Sequence, residues 1–410
     1  MIDKYTICSF DECTACAACM NVCAHNAITT QEDGLGYLYP EIDLSRCVEC
    51  GLCRMVCPAL HPLTLYKPQD VYAAVSRNQW EHLSSSSGGA ASVISRYMIK
   101  SRGVVYGCSQ NNYLDIKHVR VDKDADIDAL KGSKYVQSEI GLCYRKVKQD
   151  LLANKTVLFI GTPCQVAGLK SFLRKEYEQL YTIDLVCHGV APQRMLCEDV
   201  ESNSKTERKE NGEIYVNFRW KTKSGIRFGI QLCQKERDRL NILKSIRFPY
   251  NAYITAFMTG LSFRENCHQC VYAGVKRVGD WTIGDFWGLG AYQKTQIVGK
   301  EGVSLLMVNT DKGNRLLQEV KDAFILEKRT LSEAVRGNAN LKSASARPKN
   351  KDLFKQTLGE KGLNAACRAA LSHKQYFKLI VIEEMKRVPF LMSVFKKVRL
   401  FINQKKYNGE

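Results

Sequence analysis

Cys13, Cys16, Cys19 and Cys23 follow C-x2-C-x2-C-x3-C, and Cys47, Cys50, Cys53 and Cys57 repeat that spacing with Pro58 directly behind. Three thiolates this close can hold three irons of one cubane on a tight loop, while the fourth cysteine of each run crosses to the other cluster. That rule assigns Cys13, Cys16, Cys19 and Cys57 to one [4Fe–4S] cluster. Cys47, Cys50, Cys53 and Cys23 go to a second, with none of the eight left over. A zinc ribbon is the competing reading, but zinc sites use paired rather than triple C-x2-C spacing. Cys8 and His25 lie outside both runs and read as bystanders. Clusters of this kind pass one electron at a time, so the long remainder of the chain must have another task.

A second set of thiols is scattered: Cys164 in GTPCQ, Cys187 in DLVCHG, and the pair Cys267 and Cys270 in ENCHQC. Two lone cysteines at strand ends and one Cys-x-x-Cys could form a four-thiolate cage, because strand C-termini converge on one edge of a sheet. Zinc stays open for this site. A lone thiol is most often a small buried hydrophobe, and that is the reading for Cys108, Cys143, Cys197, Cys233 and Cys367.

Three segments could hold an anionic cofactor. SSSSGGAASVISRYMIK (84–100) runs from serine and glycine straight into a helix, where backbone N–H groups favour phosphate; a flexible linker is the alternative. GTPCQ is a sharp strand-to-helix turn of the kind that lines ligand crevices, and GSKYVQS (132–138) sets a lysine between small residues. In GDWTIGDFWG (279–288), Asp280 and Asp285 could line a pocket, or could make structural turns. His188, beside Cys187, could donate a proton or hydrogen-bond a cluster sulfur.

The elements that must position these residues alternate. VLFIGTPCQVAGLKSFLRK reads as a strand (157–160), a turn (161–165) and a helix (166–175); TIDLVCHGVAP and SLLMVNTDKGNRLLQEV repeat the strand-then-turn pattern. IYVNFRW and IRFGIQL read as an antiparallel hairpin, so the sheet should be mixed. The expected fold class is α+β/α/β: a small ferredoxin-like head (1–62), a larger mixed-sheet α/β domain (70–345) and a helical basic tail (346–410). Two prolines in HPLTLYKPQD mark the linker. ESNSKTERKENGE (201–213) reads as a solvated loop.

The net charge of +18 is uneven. Residues 1–62 carry three cations against eight acids, a balance of −5, leaving +23 for the rest. An acidic head on a basic body suits an anionic ligand, lipid or acidic partner; no nucleic-acid motif supports that class. The opening MIDKYTICSFDEC lacks a basic-then-apolar signal, and no run is long and apolar enough to span a bilayer. The expectation is a cytoplasmic protein with reduced thiols. Phe390, Leu391, Val394, Phe395, Val398 and Phe401 recur at helical spacing among lysines, so the tail could lie peripherally on the inner face of a membrane, or dock on protein.

Residues 5–60 resemble a bacterial-type two-cluster ferredoxin, departing from it at Ala24, where proline usually follows the first run. With that head, GTPCQVAGL, IDLVCHGV, NFRW, SFRENCHQCVYA and RVGDWTIGDFWG resemble, in this order over about residues 5–310, the coenzyme F420 hydrogenase/dehydrogenase beta subunits. The resemblance implies FAD and a further cluster in the body, with Ser87, Gly88, Gly89, Lys134, Tyr135, Gly161, Thr162 and Gln165 as candidates for holding the flavin. It implies an iron–sulfur flavoprotein oxidoreductase, with His188 and Asp285 as candidate catalytic residues and a redox partner protein or ferredoxin as electron source or acceptor. The long motifs are most similar to bacterial members associated with surface-polysaccharide synthesis; coenzyme F420 itself is not carried over, and the organic substrate is open. A non-enzymatic electron-transfer partner, docking on another oxidoreductase or a glycan-processing enzyme, is the alternative.

Overall fold

The computed structural model describes residues 6–204, 213–222, 225–236 and 239–385. In the head, strands β1 (Ile28–Glu32) and β2 (Leu38–Ile42) form an antiparallel ribbon between the two cysteine runs. The runs are built alike. Ala15 (φ 50°) and Ala17 (φ 63°) are left-handed two and four residues after Cys13; Glu49 (φ 54°) and Gly51 (φ 72°) are left-handed at the same offsets from Cys47. Each pair feeds a short helix, Ala18–Val22 or Leu52–Met55. Only Gly51 adopts this backbone without steric cost, so at Ala15, Ala17 and Glu49 the loop imposes φ values that these residues disfavour.

The body is organised by β3 (Asp70–Ser76), β4 (Val104–Asn112), β5 (Asp115–Val121), β6 (Val157–Gly161), β7 (Leu180–Leu185), β8 (Ile214–Thr222), β9 (Gly225–Glu236), β10 (Arg239–Arg247), β11 (Trp281–Asp285), β12 (Ser304–Val308) and β13 (Phe324–Lys328). Eight of them make one sheet in the order β13-β3-β12-β11-β7-β6-β4-β5. Strands β4, β6, β7 and β11 are parallel, and β3 runs the same way because β12 is antiparallel to both β3 and β11. Their C-terminal ends therefore share one edge. The expected mixed α/β sheet is present.

Side chains alternate across this sheet with period two. Val157 and Phe159 pack under helices Cys143–Leu152 and Pro163–Leu173, while Leu158 faces helices Ala90–Lys100 and Asp311–Val320. The helix after GTP starts at Pro163 rather than 166. Thr162 caps it reciprocally with Gln165, and Pro163 suits the first turn, so the supposed turn residues are already helical.

The hairpin forms as β8 and β9, joined by a third strand, β10, whose polar alternation hides it in the sequence. The helix Gln193–Ser204 enters the expected solvated loop, and residues 205–212 lie outside the described residues. Beyond 346, helices Lys351–Ala370 and His373–Met385 follow, the first burying Phe354 and Leu363 with Tyr253 and Phe257. The proposed lipid-binding segment, with Phe390 to Phe401, lies outside the described residues. Among those described, no helix is long and apolar enough to cross a membrane.

Candidate metal centres and the sheet edge

The loop geometry turns the first-run thiols inward. Cys13, Cys16, Cys19 and Cys57 feel one another's charge and line one pocket, partly open to solvent. Burial drives the Cys16 thiol up to about 12. In the second run Cys53 feels Cys50 and Cys47. Cys23 accepts a hydrogen bond from the Ala27 N–H (3.4 Å) and packs, as Cys53 does, on the small core around Ile7 and Ile28. Cys13, Cys16, Cys19 and Cys57 thus line one pocket, and Cys53 lies near Cys50 and Cys47. Cys8 is buried beside the first set, and its hydrogen bonds to Cys13 and Cys57 hold those thiols down to about 7 and about 6.

Cys164 opens the helix Pro163–Leu173, Cys187 follows β7, and Cys267 and Cys270 lie in and just after the 3-10 turn Glu265–Gln269. Cys164 feels Cys187, Cys270 and Cys267, and Cys187 feels Cys267 and Cys270, so the scattered thiols converge. Burial pushes Cys187 up to about 12 and Cys267 to about 11. Among the described residues no group of three or more His, Cys, Asp or Glu is arranged to hold a single ion, in the head or in the body.

Arg277 fixes this region. Its side chain is 1% exposed and pairs with Asp184, 0% exposed, at 2.7 Å. Asp184 also accepts from the Val278 and Gly279 N–H groups, while Arg277 Nη2 donates to the Leu185 carbonyl. A buried ion pair lasts only when its remaining donors and acceptors are satisfied, and here they tie the Cys270 segment to the end of β7 that presents Cys187.

Head and body meet at Gly168. A Cβ there would lie 2.8 Å from Cys16 Cβ and 3.0 Å from its sulfur. Gly168 is one turn along the helix from Cys164, about 6 Å in rise, on the same face. Buried Tyr272 feels Cys164, Cys16, Cys270 and Cys57 together, so it lies between the two thiol sets.

The three glycine segments also come together. Ser133 N–H donates to Ser86 Oγ (2.7 Å), and Gln165 Nε2 donates to the Ser138 carbonyl (3.0 Å), so GSKYVQS bridges the other two. The serine run is docked: a Cβ on Gly88 would meet the Ala74 carbonyl at 2.1 Å, and Gly89 enters the next helix at φ 88°. Ser85 and Ser87 hydroxyls are buried without partners. Lys134, chosen as an anion ligand, instead donates to the carbonyls of Cys108, Leu130 and Lys131 (3.0, 3.0 and 2.7 Å). Gln165 is occupied by the Thr162 cap and by Ser138; Gly161 lies against its side chain. Tyr135 stacks on Phe257 (centroids 4.8 Å apart) beside Phe228, with its hydroxyl at Arg219.

Asp285, at the end of β11, is gripped by Arg219 through two hydrogen bonds (2.7 and 2.8 Å). Asp280 is structural, accepting from Thr182 N, Thr182 Oγ1 and Thr310 Oγ1. His188 keeps solvent access; protein crowding lowers its pKa, Asp285 opposes this and Arg219 adds to it. Arg219 and Lys221, alternate residues on one face of β8, were not singled out by sequence reasoning, although NFRW contains the arginine. Arg219 Nε is buried without a partner. Burial, then Arg219, lowers Lys221 to about 8, and its ammonium donates to the Ser87 carbonyl (3.1 Å).

A two-run cysteine head on a mixed α/β body marks an iron–sulfur protein. Residues 154–334 match the C terminus of the coenzyme F420 hydrogenase/dehydrogenase beta subunit, and residues 12–60 match a 4Fe-4S dicluster domain. The chain is similar to one of the subunits of the F(420)H(2) dehydrogenase of Methanosarcina mazei, 22% identical over 189 residues, or 43% of this chain. The matched region spans about half (53%) of that curated relative's length. A chain of the F420-reducing [NiFe] hydrogenase complex from Methanosarcina barkeri superposes at TM-score 0.44 and 16% identity, covering 74% of this chain and 91% of that one.

Proposed function

We propose that this chain is an iron–sulfur flavoprotein oxidoreductase in which electrons pass between the head clusters, a third [4Fe–4S] cluster on Cys164, Cys187, Cys267 and Cys270, and FAD at the sheet edge. The observation carrying this reading is the convergence of those four thiols, beside Cys16, across the glycine contact at Gly168. The unpartnered hydroxyls of Ser85 and Ser87 and the free Nε of Arg219 suit a polar ligand at the same edge. A flavin supplies the exchange between one-electron and hydride chemistry that clusters lack.

The chain's own residues have separable tasks in this account. Ser87, Gly88, Gly89, Gly161 and Thr162 shape the cradle; Tyr135 forms an aromatic wall; Lys134 and Gln165 brace the segments rather than contact the ligand. Arg219 orients Asp285, and His188, open to solvent, is placed to exchange a proton with an organic substrate. A redox partner protein would exchange electrons at the head, where Cys50 is exposed. The substrate is an organic molecule in a reaction linked to surface-polysaccharide synthesis, and coenzyme F420 is not carried over.

Cys267→Ala tests the third centre. The variant should lose roughly four irons while keeping the head's clusters. An unchanged iron count would refute the assignment.

A further inference from the structure

Arg264 stands between the two thiol sets. Its side chain is buried, with the residue 1% exposed. Nε donates to the carbonyl of Cys13 (3.3 Å), and Nη1 to the Leu38 carbonyl (2.8 Å) and Gln137 Oε1 (3.3 Å). Nη2 is buried with no partner. The guanidinium lies 4.3 Å from the centroid of Tyr39 and 5.8 Å from that of Tyr37. Among the described residues no carboxylate pairs with it. Its backbone carbonyl accepts from the Cys267 N–H (3.1 Å), which carries the side chain's anchorage directly into the body thiol set.

A permanent cation in a low-dielectric interior costs several kcal/mol unless a counter-charge is present. The thiols whose ionised form this cation favours are Cys13 and Cys267, one from each set, while burial keeps Tyr37 and Tyr39 beside it neutral. Four thiolates around an iron–sulfur core give a net negative group, and one-electron reduction makes it one unit more negative. A fixed cation beside it therefore favours the reduced form, and burial strengthens that preference because the field is poorly screened.

We propose that Arg264 is the counter-cation of the head cluster held by Cys13, raising that cluster's reduction potential and, through Cys267, that of the body centre. The first part requires only the dicluster head; the second rests on the body-cluster reading above. Arg264 is a positioning residue in this account, acting through its charge and touching no substrate.

The test is a potentiometric EPR titration of the anaerobically purified full chain, with iron counted in parallel. Arg264→Gln should shift one head cluster's midpoint negative by at least tenfold in the one-electron equilibrium, about 59 mV. The other head cluster, on Cys47, Cys50, Cys53 and Cys23, should not move. Arg264→Lys should restore most of the shift. The same titration on Cys267→Ala isolates the head, so failure of the body cluster does not obscure the result. Unmoved potentials at full iron content would overturn the proposal. If Arg264→Gln sheds iron, retention by Arg264→Lys supports charge compensation, whereas loss from both variants overturns it by assigning the need to the guanidinium's hydrogen-bond geometry.

Discussion

Single residues set how close the redox groups lie. Gly168 is glycine because Cys16 occupies the space of a side chain. Gly168→Val should overpack that contact, cost about 1–3 kcal/mol in denaturant melts, and reduce cluster-one signal at constant cluster-two signal. Equal signals in both clusters would show that the contact is incidental. The Arg219–Asp285 pair is the comparable point at the sheet edge. Arg219→Leu leaves a largely buried carboxylate without its partner and should destabilise by about 3 kcal/mol. Asp285→Asn, which keeps the shape, should instead alter bound flavin more than the melting temperature. At this scale the dicluster head was legible in the sequence, because cysteine spacing is chemistry written in order. It did not show Arg264 or Arg277, since an arginine's burial depends on what folds over it.

At the scale of elements, the head's duplicated turn was legible as a repeated spacing, and its left-handed residues follow from closing a loop around thiols. Strands β6, β7 and β12 were legible as short apolar runs, whereas β10 (Arg239–Arg247) was not, because one face meets solvent. The bridging role of GSKYVQS was invisible too, since its partners are distant in sequence. His118 records how tightly this junction is packed. It lies between Ser138 Oγ (2.8 Å) and the Ile160 carbonyl (3.0 Å), and burial pushes it down to about 4 from 6.5. The unfolded chain therefore binds the proton first as pH falls. Stability present above pH 6.5 should decline by about 3 kcal/mol towards pH 4 and then level off with respect to this group. Urea melts of His118→Asn across that window should show a shallower slope; an identical slope would place the pH dependence elsewhere.

For the whole molecule, the acidic head is seated on the body rather than tethered to it. Asn21 Nδ2 donates to the Gly141 carbonyl (2.8 Å), Tyr37 donates to the Phe263 carbonyl (3.2 Å), and Arg145 Nε donates to the Asn21 carbonyl (2.8 Å). The linker joins too, with Tyr66 and Arg277 exchanging backbone hydrogen bonds of 2.7 and 2.8 Å. Domain order could be read along the chain, but this docking could not, because it depends on complementary surfaces rather than on pattern. It is the docking that brings Cys16 against the helix of Cys164, the contact on which the proposed electron path rests. The central claim is that path's composition, and the most direct measurement is iron, acid-labile sulfide and flavin content of the anaerobically purified full chain. The account predicts about twelve irons and one FAD per chain. About eight irons, with no flavin bound even after FAD is added, would contradict it and leave an electron carrier without a flavin centre.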